Sequence, residues 1–271
     1  MFYGYGCAFK PVIRSKGLTY LKNGEIRGVE EQKLNVFAPV KGRKLKDVMV
    51  FIHGGNWNSG NKRLYSYLGN RFARKGIVTV VIDYPLSPKA GYKEMAESVA
   101  HSVKWVRDHI EEYGGNPRKI FVSGHSAGGH LASLVSVNNR YFDSIGISNP
   151  IKGTILIDAA GLDMYTYLKQ EGLGTGDGYM ETFGMDPAQW KEASPIYFLH
   201  PEMPSMLIYV GGRTYPSILE GNDRFMNALK VFVPGAGYHL LKGKKHVPMI
   251  LQFFNTWNSR YKEIIDFMQI K

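Results

Sequence analysis

From about residue 48 the chain alternates short apolar runs with longer stretches whose apolar positions recur at helical spacing. Val48-Met-Val-Phe-Ile52 is short, β-branched and ended by Gly54-Gly55, which predicts a buried strand. Residues 77–82 and 119–123 read the same way, and 155–157 and 206–210 continue the series. Helices are predicted over 62–75, 91–113, 127–137, 218–230 and 247–267. In the second of these, Met95, Val99, Val103, Val106 and Ile110 mark the buried stripe, and Gly114-Gly115 stops it. Strands that are apolar throughout are covered on both faces, so this order implies an α/β fold built on a mostly parallel sheet. Residues 12–38 suit extended antiparallel edge strands better. Residues 164–192 break the rhythm with Gly172, Gly174, Gly176 and Gly178 set among Tyr165, Tyr167, Tyr179, Phe183 and Trp190. Such an excursion is either a lid over a site or a plain surface loop.

Composition narrows the picture. With 271 residues, 44% of them hydrophobic, the chain supports one domain, 1–271, with a full core. No apolar run is long enough for a membrane span. Cys7, the single cysteine, excludes an internal disulfide framework and a thiolate-rich metal cluster. The first residues, Met-Phe-Tyr-Gly-Tyr-Gly, lack the basic patch and apolar stretch of a signal peptide, so a cytoplasmic location is expected. Lys and Arg total 34 against 23 Asp and Glu, a net charge of +11. The basic residues fall in short clusters, Lys41–Lys46, Arg71–Lys75 and Lys242–Lys245, rather than in one stripe. That distribution reads as a solvated surface and not as a nucleic-acid footprint, while easier approach of acidic substrates stays open.

Two motifs carry chemistry. Gly124-His-Ser126-Ala-Gly128 fits G-x-S-x-G, follows a predicted strand and opens a predicted helix. A strand feeding a helix through a sharp turn lifts the serine Oγ clear of the sheet, and the helix N-terminus favours a developing oxyanion. His53-Gly-Gly55-Asn-Trp57 ends the first buried strand, where an acyl-transfer site needs backbone N–H donors. The donors read from this arrangement are the amides of Gly55, Asn56 and Ala127. His53 reads as a brace for the loop rather than as a base, and no metal or other cofactor is implied, because no ligands cluster at metal spacing.

Together these residues resemble the α/β-hydrolase superfamily, in its esterase/lipase branch with a His-Gly-Gly loop. Asp83-Tyr-Pro-Leu-Ser-Pro88 is similar to the aspartate-tyrosine-x-leucine-x-proline segment of that branch, with Pro85 where arginine is usual. Gly114–Ile120 and Ala193-Ser-Pro195 resemble two further stretches, and the likeness covers about residues 33–265. The arrangement is closest to small carboxylesterases that include feruloyl and acetyl esterases and kynurenine-formamidase-like enzymes. The resemblance implies an α/β-hydrolase fold, a Ser126 nucleophile, and hydrolysis of small-molecule esters. The Tyr- and Gly-rich residues 164–192, with Trp57, are expected to line an aromatic-tolerant acyl or alcohol pocket, which makes short acyl or aryl esters the leading guess. It also implies the order serine, acid, histidine. The base then follows the last strand, which favours His246 over His239 because a residue in the turn after a strand points toward the nucleophile.

The acid breaks the pattern. Its usual position falls on Thr214, which carries no charge, and Glu220 and Asp223 lie too far along. Asp158, at the end of the preceding strand, is the favoured substitute, a migration that pancreatic-type lipases show. Asp163, a Ser–His dyad and lost catalysis remain alternatives. On this reading the function is a serine carboxylesterase, set against a catalytically weakened binding module or an amidase or peptidase on the same fold.

Overall fold

The computed structural model describes residues 10–40, 42–172 and 178–269; Cys7, Gly174 and Gly176 lie outside them. The chain opens with β1 (Val12–Leu21), β2 (Gln32–Pro39), β3 (Lys46–Ile52), α1 (Ser66–Arg74), β4 (Val78–Ile82) and α2 (Tyr92–His109). It continues through β5 (Gly115–His125), α3 (Ala127–Val137), α4 (Arg140–Asp143), β6 (Ile151–Ile157), α5 (Met164–Glu171), α6 (Gly178–Phe183) and α7 (Pro187–Glu192). It closes with β7 (Ser205–Gly211), α8 (Pro216–Phe232), β8 (Gly237–Leu241), α9 (His246–Leu251) and α10 (Arg260–Gln269).

The strands form one sheet in the order β1-β2-β4-β3-β5-β6-β7-β8. β1 and β2 run antiparallel, and β3 through β8 pair in parallel. Side chains alternate across each strand, so one run feeds two cores. Val48, Val50 and Ile52 of β3 join the core beneath α2, α3 and α8, while Met49 and Phe51 join the core beneath α1, α9 and α10. This is the α/β-hydrolase architecture, a parallel sheet whose connections place helices on both faces.

Three departures from the sequence reading matter for the site. Residues 164–192 are not an irregular loop: their described part folds into α5, α6 and α7, the first and last started by the side chains of Asp163 and Asp186 accepting from Thr166 N–H and Ala188 N–H. The helix anticipated over 247–267 is broken. α9 ends at Leu251, a short 3₁₀ turn holds Gln252–Phe254, and α10 starts only at Arg260. The break has a local cause, because Asn255 and Asn258 turn their side-chain oxygens onto the N–H groups of Trp257 and Arg260 and so compete with the helical ladder. Residues 62–65 form turns before α1 rather than its first coil. No helix among the described residues is long and apolar enough to cross a membrane.

Candidate active site

Parallel strands deliver their carboxyl ends to one edge of the sheet, and there β5, β6 and β8 hand over to Ser126, Asp158 and His246. Ser126 sits at φ 55, ψ −123 between β5 and α3, a conformation that a non-glycine residue adopts only under constraint. Two glycines supply the constraint. A Cβ on Gly124 would lie 2.2 Å from the Gly128 carbonyl oxygen, and one on Gly128 would lie 2.2 Å from that of Ile52. The elbow is closed by hydrogen bonds from Ser126 N–H to Ile157 O at 3.2 Å and from Ala160 N–H to Ser126 O at 3.2 Å.

Ser126 Oγ lies 3.0 Å from His246 Nε2, with 120 positions of chain between them. On the far side of the ring, His246 Nδ1–H donates to Asp158 Oδ2 at 2.6 Å. Asp158 is fully buried, at a positive φ of 50. Its burial is compensated by three donors in all: Gly211 N–H reaches Oδ1 at 2.7 Å, and Thr214 Oγ–H and His246 share Oδ2, the former at 2.5 Å. Thr214 thus occupies the position where the family pattern expects the acid, and it holds the carboxylate that comes from the neighbouring strand. Sequence reasoning counted Thr214 as a loss; the signal it could have weighed was the hydroxyl, a donor able to hold a carboxylate, which the structure also places 3.4 Å from His246 Nδ1.

The competing residues stand elsewhere. Asp163 caps α5 and pairs with Arg224 Nε at 2.7 Å. His239, on β8, stacks against Tyr209 with ring centres 5.0 Å apart. Glu220 and Asp223 lie on α8. His53 is buried, donates from Nδ1 to the Gly54 carbonyl at 2.8 Å and stacks on Tyr84 at 4.3 Å, so it braces the loop. Tyr84 OH in turn donates to His53 O at 3.1 Å, and Asp83 takes the Lys62 N–H at 2.7 Å and pairs with its ammonium group. The Asp83-Tyr84 segment therefore tethers both ends of the loop that follows β3.

That loop carries Gly55 and Asn56, two of the three residues anticipated as oxyanion donors. Gly55 has φ +133, and a Cβ there would lie 2.1 Å from the Ser59 carbonyl oxygen. Asn56 and Trp57 also hold positive φ, so three successive residues turn the chain back on itself. The structure brings Gly55 and Asn56 to the same cavity as Ser126 and His246, and puts Ala127 at the first position of α3. Among the described residues, the N–H groups of Gly55, Asn56 and Ala127 donate to no acceptor in the surrounding turns.

Three histidines that flank the site are held neutral. Burial lowers His125 to about 3, with the nearby His246 adding to the effect; its ring stacks on His246 at 4.6 Å and its Nε2–H donates to the His246 carbonyl at 3.3 Å. Burial lowers His130 to about 4; it accepts from Trp57 Nε1–H at 3.1 Å and donates to Ala193 O at 2.6 Å, which fixes its tautomer. His53 is lowered by the same cause. Neutral neighbours leave His246 as the ring with both a carboxylate and a hydroxyl in reach.

The cavity over Ser126 measures about 1090 Å³ and has two sides. One is walled by Trp57, Leu162, Met164, Tyr167 and Tyr179, with Trp57 and Tyr179 edge-on at 5.9 Å. The other runs past Leu64, Tyr67, Val247, Leu251 and Phe254. The sequence reading anticipated the aromatic wall from 164–192 but missed the second side, because a single helix over 247–267 would not have bent Phe254 toward α1. Among the described residues no three His, Cys, Asp or Glu side chains are grouped to hold a metal ion.

Comparison with known proteins gives this arrangement its place. The chain is 26% identical to isoprenylcysteine alpha-carbonyl methylesterase ICME of Arabidopsis thaliana in an alignment of 243 positions that covers 81% of its length. It spans 55% of that relative and 63% and 54% of two similarly named proteins of the same plant. It is 35% identical over 136 residues to arylacetamide deacetylase of Rattus norvegicus, covering 48% of this chain and 34% of that one. Among solved structures, esterase B of Lactobacillus rhamnosis superposes with a TM-score of 0.76 at 18% identity, over 96% of this chain and 87% of that one. Esterase 2 of Thermogutta terrifontis, phosphoramylated by tabun, gives 0.73 at 24% identity, over 95% and 94%. The family model described as BD-FAE matches residues 34–215, from the second strand to the turn after the seventh, and with Ser126 on its elbow inside that span the chain belongs to the BD-FAE family.

Proposed function

We propose that this chain is a serine carboxylesterase that hydrolyses short acyl or aryl esters through an acyl-enzyme intermediate. The observation that carries the reading is the unbroken line from Ser126 Oγ through His246 to the buried Asp158, opening on a cavity large enough for a small ester. His246 Nε2 takes the proton as Ser126 Oγ attacks the carbonyl carbon, and Asp158 stabilises the imidazolium that forms. The negative charge on the carbonyl oxygen meets the N–H groups of Gly55, Asn56 and Ala127. His246 then protonates the departing alkoxide, which leaves as the alcohol. Water, deprotonated by the same ring, attacks the acyl carbon and frees the acid and Ser126.

The relatives' names include methylesterase, esterase and deacetylase, which agrees with acyl transfer to water on this chain. A binding-only module drew its support from Thr214 at the acid position, and with Asp158 hydrogen-bonded to His246 that support is gone. A single cysteine suits a reducing compartment, and we place the enzyme in the cytoplasm, acting on small-molecule esters. The test is a fluorophosphonate probe together with p-nitrophenyl acetate. Stoichiometric label on Ser126, and turnover abolished in Ser126→Ala, are expected; folded protein that neither labels nor turns over the ester would overturn the reading. Matched ester and amide substrates separate a carboxylesterase from an amidase.

A further inference from the structure

One side of the cavity mouth is apolar and carries charge of a single sign. Leu64, Val247 and Phe254 line the cavity yet are 63%, 53% and 53% exposed, so they form its rim rather than its floor. The rim is one built surface: Tyr67 stacks flat on Phe254 with centroids 3.8 Å apart, and its hydroxyl donates to Ile250 O at 3.1 Å. Trp257, in the turn just beyond Phe254, is 83% exposed. The two stretches that build this rim, residues 61–75 and 242–259, hold five and three Lys or Arg, and neither holds an Asp or Glu. They contain two of the three basic clusters in the chain, which the proposed chemistry leaves unused. Lys62 is matched by Asp83, but Arg63, Arg71, Lys75, Lys242, Lys244 and Lys245 form no ion pair among the described residues. Arg71 reaches the Phe254 carbonyl at 3.5 Å, so cations and apolar tips are interleaved.

A surface that serves only solubility mixes both signs of charge and keeps large apolar side chains apart. This one does the opposite, and its features are those that bind a bilayer interface: apolar and aromatic tips that enter the acyl boundary, beside cations that meet anionic headgroups. We infer that this face docks on an anionic bilayer surface and opens the Ser126 cavity toward an ester held in the lipid. Docking itself requires no turnover; only the statement about the ester rests on the proposed esterase activity. With no membrane-crossing helix among the described residues, the attachment they provide is peripheral.

Vesicle flotation with Ser126→Ala protein tests the inference independently of catalysis. Binding to phosphatidylcholine vesicles containing phosphatidylserine should exceed binding to phosphatidylcholine alone by about tenfold and weaken in high salt. The double variant Trp257→Ala/Lys242→Glu, whose positions lie outside the Ser126 cavity, should bind such vesicles roughly fivefold more weakly while p-nitrophenyl acetate turnover on the Ser126 background is kept. As a second measurement, brominated lipid should quench the wild-type tryptophan emission and quench Trp257→Phe less. Equal partition onto both vesicles, no partition onto either, unchanged binding by the double variant, or capture of heparin without vesicles would each overturn the inference.

Discussion

Asp158 is held from three directions, and each hold is testable because the groups involved have separate duties. Replacing Asp158 with Asn keeps the shape but offers an amide where His246 Nδ1–H needs an acceptor; kcat should fall by on the order of 10⁴ with KM little changed, measured on p-nitrophenyl acetate. Thr214 donates to the same carboxylate oxygen and aims it, so Thr214→Val should cost about tenfold in kcat, the worth of one hydrogen bond to a charged acceptor. Thr214 Oγ is 3.4 Å from His246 Nδ1, close enough for a carboxylate there to serve the ring. Asp158→Asn/Thr214→Asp should therefore recover at least about tenfold of the loss in Asp158→Asn alone. No recovery would mean that the β6 strand end, and not merely a charge beside His246, is required. The sequence led to Asp158 and to a vacancy at Thr214 but could not join them. Position counting runs along one strand, whereas Asp158 and Thr214 meet because β6 and β7 are neighbours in the sheet, with Ile157 opposite Tyr209.

The elements that position these residues were legible to very different degrees. The buried strands were plain because each is apolar on both faces, and the elbow was plain because glycines stand on both sides of a serine between a strand and a helix. The backbone contact that makes Gly128 indispensable was not, since it comes from β3 across the sheet. Gly128→Ala would drive a methyl group into the Ile52 carbonyl, a backbone atom that cannot step aside; a loss of about 2–3 kcal/mol in urea unfolding is expected, with impaired labelling of Ser126. The described part of 164–192 was read as an excursion because its glycines hid three short helices. Phe183 of α6 packs edge-on against Trp57 at 5.0 Å and stacks on Tyr92 at 5.7 Å, so one aromatic ring ties α6 to the loop after β3 and to α2. Phe183→Ala should cost about 3–5 kcal/mol, as buried phenylalanine truncations do, and should raise KM for aryl esters more than it lowers kcat. Equal effects on aryl and methyl esters would show that α6 supports the fold alone.

At the scale of the molecule, the net charge was evident from composition, but its placement around one side of the cavity depended on where α1 and the turns after α9 meet. Buried histidines are likewise invisible as such in the sequence, and they set how stability responds to acid. His125 and His130 are kept near 3 and 4 by burial, below their ordinary value of 6.5, and His53 is lowered in the same direction. A lowered histidine stabilises the fold fully above the unfolded value, where both states are neutral. As pH falls below 6.5 the unfolded chain takes up protons that the folded chain refuses, and the stabilisation is lost progressively toward the folded value. From His130 alone the loss is on the order of 3 kcal/mol by pH 4. Urea midpoints should therefore hold steady from pH 8 to about pH 7 and decline steeply between roughly pH 6 and pH 4, a decline whose onset lies well above the range where surface carboxylates titrate. His130→Gln, less stable at neutral pH because it gives up bonds to Trp57 and Ala193, should show a shallower decline, and the wild-type His130 ring signals in NMR should not titrate above about pH 5. Midpoints independent of pH down to 4.5, or a His130 ring that titrates near its ordinary value, would mean that the Trp57–His130–Ala193 chain is open to water, and with it the wall that α6 presents to the cavity.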